Sequence, residues 1–234
     1  MPDGFLLVDK PPGISSFRVV GRVRALTGIK RVGHAGTLDP FASGLLILAM
    51  GRNYTRQIQL FQDLPKVYSA CMVLGVETDT LDHEGTILST DDTFSSSTKD
   101  EIRDRLESVL SQFKGDLQQF PPAFSAKKVK GVRLYKLARK GIETEVKSHA
   151  IHIYELRIDQ IIVGQTPLVW FTVWCSKGTY VRQLAKDVAI AIGTVAHLTA
   201  LRRLSSGSYS CDQALEYASL TPEAIESKCF YECP

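Results

Sequence analysis

Apolar positions along this chain fall into short solid runs and into helical stripes. "GFLLVDK" is a strand-length run that stops at Pro11-Pro12-Gly13, so it predicts a short buried strand. Ser15 or Ser16 is placed to cap a helix that runs to about Thr27, with Gly28 just past its end. "LLILAM" and "VYSACMVLG" are apolar runs of strand length, and "AIHIYELRI" and "LVWFTVWCS" are strands rich in β-branched and aromatic residues. Two helices show their phase clearly. Thr98 and Glu101 form a capping-box pattern ahead of Ile102, Leu106, Val109, Leu110 and Phe113, with Gly115 as a stop. Thr179 opens a second, which carries Val181, Leu184, Ala185, Val188 and Ile192 on one face and ends at Gly193. Strands cluster and helices intervene without βαβ periodicity, which favours an α+β domain on a mixed sheet. "DDTFSSST" reads as a surface loop, and residues 117–145, Pro-started and lysine-rich, read as an insertion projecting from the core.

Composition narrows this picture only a little. A chain of 234 residues suits one large domain or two small ones, and 44% hydrophobic with 23% charged residues is ordinary for a soluble globular protein. No apolar run reaches the length of a membrane span, and the first residues do not read as a signal peptide. Cys71, Cys175, Cys211, Cys229 and Cys233 are scattered and odd in number, which fits reduced thiols in a cytoplasmic protein and gives no zinc pattern.

Charge changes the picture more. The net charge of +3 conceals strong patterning. From Lys10 to Gln62 the bases are Lys10, Arg18, Arg22, Arg24, Lys30, Arg31, Arg52 and Arg56, and the only acid is Asp39. A second acid-free block, Leu117–Ile142, holds Lys127, Lys128, Lys130, Arg133, Lys136, Arg139 and Lys140, whereas Glu77–Glu107 is predominantly acidic. Two basic blocks separated by an acidic one predict a positive face of the kind that binds nucleic acid. Two residues then stand out. Asp39 is a lone carboxylate in a segment suited to attract an anion. Arg182 falls near the start of its helix, where a cation is electrostatically misplaced unless something negative meets it. It either projects into solvent or pairs with a distant carboxylate or an RNA phosphate.

The motif "GHAGTLDPFASGLL", with "LLVDKPPGISS" before it, resembles the bacterial tRNA pseudouridine synthase B family. The likeness continues through "KVYSACMVLGVETDTLDHEG", "PPAFSAKKVKGVRLYKLARKGIE", "CSKGTYVRQLAKDV" and "AHLTALRRLSSG", in order and at family-like spacing. It implies a pseudouridine synthase fold, a mixed and mainly antiparallel sheet flanked by helices, as one catalytic domain over 1–234 with 117–145 as an RNA-clamping insertion. It also implies the reaction: the T-loop uridine at position 55 of tRNA becomes pseudouridine by exchange of a C–N for a C–C glycosidic bond, with no metal or other cofactor. By the same resemblance Asp39 is the catalytic carboxylate, Tyr68 stacks on the target base, Arg182 pairs with the carboxylate and Asp82 steadies that arginine. His34 packs against the flipped-out T-loop, while Tyr180 and Leu201 line the pocket. Lys127, Lys128 and Lys130 are expected to grip the T-arm. Only 27 residues follow Gly207, too few for the PUA-type RNA-binding domain of many relatives, so affinity is expected to rest more on 117–145. A monomer is expected. Two other readings are a tRNA-folding factor with secondary catalysis and a guide-RNA-dependent subunit of a complex.

Overall fold

A computed structural model describes residues 3–125, 127–129, 132–134, 137, 142 and 146–234. In chain order its elements are β1 (Gly4–Lys10), α1 (Ser16–Thr27), β2 (Val32–Ala35), β3 (Ser43–Met50), α2 (Arg52–Thr55), α3 (Ile58–Asp63), β4 (Lys66–Leu74), β5 (Val76–Thr78) and β6 (Ile87–Thr90). Then come α4 (Lys99–Leu110), β7 (Gly115–Gln119), β8 (Lys128–Val129), β9 (Val132–Arg133), β10 (His149–Ile162), β11 (Leu168–Cys175) and α5 (Val181–Ala191). The last are β12 (Ala196–Ser206), β13 (Tyr209–Ser210), β14 (Leu215–Glu216) and α6 (Pro222–Lys228). Strands and helices alternate irregularly, as an α+β chain requires. Among the described residues no helix is long and apolar enough to cross a membrane.

The chain divides into two compact units, Met1–Tyr68 with Leu201–Pro234, and Ser69–Ala200, with both boundaries falling inside strands β4 and β12. In the first unit β1 runs antiparallel to β3 from Gly4↔Met50 to Lys10↔Gly44. The other edge of β3 is shared: β2 pairs antiparallel from Val32↔Met50 to Ala35↔Ile47, and β12 pairs parallel at Arg202↔Ser43 and Arg203↔Gly44. β14 lies parallel to β1. Both faces of β1 and β3 are covered, which is why they read as solid apolar runs rather than alternating ones. Leu6, Val8, Leu46, Leu48 and Met50 pack with Val19, Val20 and Val23 of α1. Phe5, Leu7, Leu45 and Ile47 pack with Phe61 of α3 on the other side. Helix α1 is bounded as its sequence predicts: Ser15 Oγ accepts from Arg18 N, and Gly28 closes the helix at φ +73° with its N–H on the Arg24 carbonyl.

In the second unit the strand order is β12, β4, β11, β10, β7, with antiparallel β10–β11 and β10–β7 pairs. Ile102, Leu106 and Leu110 of α4 and Leu184, Ala185 and Val188 of α5 are buried. The predicted capping box forms, Thr98 accepting from Glu101 N and Glu101 accepting from Thr98 N. Helix α5 starts at Val181 rather than Thr179, because the Thr179 hydroxyl donates to the Ser176 carbonyl instead of capping the helix. The lysine-rich segment is partly sheet. Leu117, Gln118 and Gln119 end β7 and pair with Ile151, Ala150 and His149 of β10. Farther along, β8 and β9 form a small hairpin with Lys128 opposite Arg133. Lys130 and the side chain of Lys128 lie outside the described residues.

Candidate active site

Asp39 sits half-buried in the loop that joins β2 to β3. Every second carbonyl of this loop is held from beneath by a buried polar side chain. The Gly36 carbonyl accepts from Nη2 of Arg203 at 3.1 Å. The Leu38 carbonyl accepts from Ser16 Oγ at 3.1 Å, and Leu38 N donates back to that hydroxyl at 2.9 Å. The Pro40 carbonyl accepts from Lys10 Nζ at 3.2 Å and from Gly13 N at 2.9 Å. Lys10 is fully buried and also donates to the Pro11 and Ile14 carbonyls, both at 2.8 Å. Arg203, 2% exposed, sends Nε to the Leu45 carbonyl at 2.6 Å, so one guanidinium ties the two ends of the loop together. Gly44 makes this possible. It has φ +106°, and a Cβ there would meet the Arg203 carbonyl oxygen at 2.2 Å. Three points of support fix the backbone around Asp39, two of them supplied by the buried cations Lys10 and Arg203.

The second unit holds a different constellation. Arg182 lies in the first turn of α5, and that turn contains no acid. Its guanidinium is 4% exposed, with Nη1 3.4 Å from Asp82 Oδ2 and also donating to the Thr80 carbonyl, while Nη2 donates to the Phe124 carbonyl at 3.0 Å. Asp82 is held in turn: its Oδ1 accepts from Thr80 Oγ1 at 2.6 Å and from Glu84 N at 3.1 Å. The turn that presents it passes through Leu81 at φ +61°, the left-handed region, where a branched side chain is rarely found. Leu198 N on the Leu81 carbonyl and Thr78 Oγ1 on the Asp82 carbonyl secure that conformation. Of the two readings for Arg182, a solvent-facing side chain is therefore set aside, because it meets a buried carboxylate. Tyr180, the residue before α5, has its backbone clamped on both sides by Gln119, which accepts from Tyr180 N at 2.8 Å and donates to Tyr180 O at 3.1 Å. The His149 ring stands edge-on to the Tyr180 ring at 5.9 Å.

The structure thus brings Arg182, Asp82 and Tyr180 into one unit and places Asp39, His34, Tyr68 and Leu201 in the other. His34 is half-buried on β2 opposite Leu48, Tyr68 is half-buried near the start of β4, and Leu201 is buried in β12. Lys127 donates from Nζ to the Lys147 carbonyl at 3.3 Å. The sequence pattern marks Ser16 only as a possible helix cap and Lys10 only as one of the bases, and it does not single out Arg203, Gln119 or the Phe124 carbonyl.

The sequence profile of the TruB family pseudouridylate synthase N-terminal domain matches residues 24–181. The tRNA pseudouridine synthase B of Geobacter sulfurreducens is 46% identical over 218 residues, covering 93% of this chain and 69% of that protein. That of Syntrophotalea carbinolica is 45% identical over 224 residues, covering 96% and 69%. Among solved structures, a chain of the Cbf5–Nop10–Gar1 complex superposes with a TM-score of 0.69 at 26% identity, covering 96% of this chain and 55% of that one. A chain of the archaeal box H/ACA Nop10–Cbf5 complex gives 0.63 at 25% identity, covering 96% and 57%. This chain therefore spans a little over half the length of those two structural relatives, and the likeness extends to the mixed sheet and its flanking helices. With the profile matching most of the chain and relatives this similar along nearly all of it, the chain belongs to the TruB family of pseudouridylate synthases.

Proposed function

We propose that the chain isomerises the uridine at position 55 in the T-loop of tRNA to pseudouridine. The observation that carries this reading is the presentation of Asp39, the only acid between Lys10 and Gln62, on a loop braced at three alternate carbonyls. The names of the similar proteins, tRNA pseudouridine synthase B, support the same substrate. In this reaction N1–C1′ breaks, the uracil turns in its pocket, C5 bonds to C1′, and the proton lost from C5 is balanced by one gained at N1. The reaction needs an ionised carboxylate at the sugar or the ring, as nucleophile or as base, and Asp39 is that group. Arg182 supplies the opposing guanidinium and Asp82 fixes its direction. Tyr68 stacks on the target base, His34 packs against the extruded loop, and Tyr180 and Leu201 wall the pocket. Extrusion of a paired or stacked base costs a few kcal/mol, and aromatic stacking returns about 1–3 kcal/mol per base. We place the enzyme in the cytoplasm as a monomer that needs no cofactor.

The deciding experiment incubates the purified chain with an unmodified tRNA transcript and maps pseudouridine along it. Conversion at position 55 without any added RNA supports the reading and excludes a guide-dependent subunit. An unmodified product overturns it and leaves the folding-factor and guide-dependent readings.

The grip on the T-arm is assigned to the lysine-rich segment. Reversing the charge of Lys127, Lys128 and Lys130 together is expected to weaken tRNA binding about tenfold or more at moderate salt. It is also expected to flatten the dependence of log K on log salt by about 2–3, near one unit per lost phosphate contact. Titrations at several salt concentrations give both quantities, and an unchanged slope removes this segment from the RNA interface.

A further inference from the structure

Phe17 is the most exposed large hydrophobic side chain among the described residues, at 66%. It stands in the first turn of α1, whose buried face is Ser16, Val19, Val20 and Val23, so its ring points away from the core. One turn later the same side of the helix carries Gly21, where an added Cβ would meet nothing within 4 Å. The ring is therefore left with open ground beside it. The guanidinium of Arg24 lies 5.6 Å from the ring centroid and is anchored by Nη2 on the Val32 carbonyl at 2.8 Å. Arg18 is exposed next to Phe17. The surroundings belong to the basic segment whose single acid is Asp39. The start of α1 is tied to the Asp39 loop on either side of Phe17's position in the chain: Ser16, next to it, bonds both polar atoms of the Leu38 backbone, and Gly13, in the turn before the helix, donates to the Pro40 carbonyl.

We infer that Phe17 is a stacking platform for a base of the RNA substrate, placed beside the Asp39 loop, with Arg18 and Arg24 receiving the adjoining phosphates. An exposed ring that already carries one guanidinium over it, with Arg18 next to it in a basic segment of the chain, suits a nucleobase with its phosphates better than a purely apolar partner. This inference rests on the tRNA reading above and deepens it by naming a contact away from the reacting uridine. Being exposed, Phe17 can be replaced without disturbing the core.

The test compares Phe17→Ala, Phe17→Leu and Phe17→Trp in tRNA binding and in pseudouridine formation with unmodified transcript. Alanine and leucine are expected to raise Kd and KM about tenfold with kcat within about twofold, and tryptophan to restore binding. The salt slope should stay as in the wild type for all three, since a ring neutralises no phosphate, and should fall by about one for Arg18→Ala. Leucine binding as well as phenylalanine would reduce the contact to a greasy patch, and alanine binding as well as phenylalanine would abolish it. Either result overturns the platform. If the wild type converts tRNA while Phe17→Ala is indistinguishable from it, only this inference falls. If the wild type converts nothing, the functional reading falls, and the binding comparison still decides whether Phe17 touches RNA.

Discussion

Replacing Asp39 with asparagine is expected to lower the rate of pseudouridine formation by a factor of about 10⁴ or more while leaving tRNA binding within about threefold. The amide keeps the size and shape of the carboxylate, and the loop is braced through the carbonyls of Gly36, Leu38 and Pro40, which the substitution leaves in place. The fold and the loop should therefore survive, and a melting temperature within a few degrees of the wild type would confirm that the loss is chemical. Binding should hold, because removing a negative charge from a basic segment takes away repulsion toward phosphate without removing a cation. Asp39→Glu is the sharper companion. It keeps the charge and moves it by one methylene, about 1 Å, a displacement large enough to cost about 10²-fold when the reacting groups must meet in one geometry. Single-turnover rates with saturating enzyme separate these effects from binding. Asparagine retaining a tenth of the wild-type rate would remove Asp39 from the chemistry.

What could be read before the structure follows a physical divide. Features whose signal is a local repeat were legible. The solid apolar runs of β1 and β3, the Ser15 and Thr98 caps and the Gly28 stop each leave a mark within a few residues, and all are present. The short strand β2 carries no such mark, since "VGHA" gains its pairing from β3, remote in sequence, and not from its own propensity. The braces of the Asp39 loop were illegible for a similar reason. Lys10, Ser16 and Arg203 act on main-chain oxygens, and a carbonyl that needs a donor looks the same at every position of a sequence. Arg182 is an intermediate case. Its position at a helix start, without a local acid, announced a missing anion, yet the identity of that anion required the Leu81 turn, whose left-handed backbone no leucine advertises. The 117–145 segment divides in the same way: its lysines stood out, while Gln119 and the Phe124 carbonyl, which hold Tyr180 and Arg182, did not.

Removing either half of the Asp82–Arg182 pair is expected to destabilise the protein by about 3–5 kcal/mol, because each change breaks an ion pair buried on both sides. For a chain of this size that corresponds to a fall in melting temperature of roughly 6–20 °C. The two single variants should differ in kind. Asp82→Leu leaves a guanidinium that keeps the Thr80 and Phe124 carbonyls and loses its contact with Asp82. Arg182→Met leaves a carboxylate that still accepts from Thr80 Oγ1 and Glu84 N, and it deprives two carbonyls of their donor. Joining Asp82→Leu to Arg182→Met replaces the pair with apolar groups of similar bulk, so the double variant should be more stable than the sum of its parts by about 1–3 kcal/mol. Arg182→Lys retains the charge and loses the planar fork, which addresses Asp82 and two carbonyls at once, so it should recover only part of the stability and little of the activity. Activity then discriminates between support and chemistry. If Arg182 serves the reaction, the double variant regains melting temperature and stays inactive on tRNA, whereas a double variant that regained both would make the pair a structural device alone. Thermal melts and single-turnover assays on the four proteins complete the cycle, and strict additivity of the two single losses would mean that the 3.4 Å contact carries no coupling.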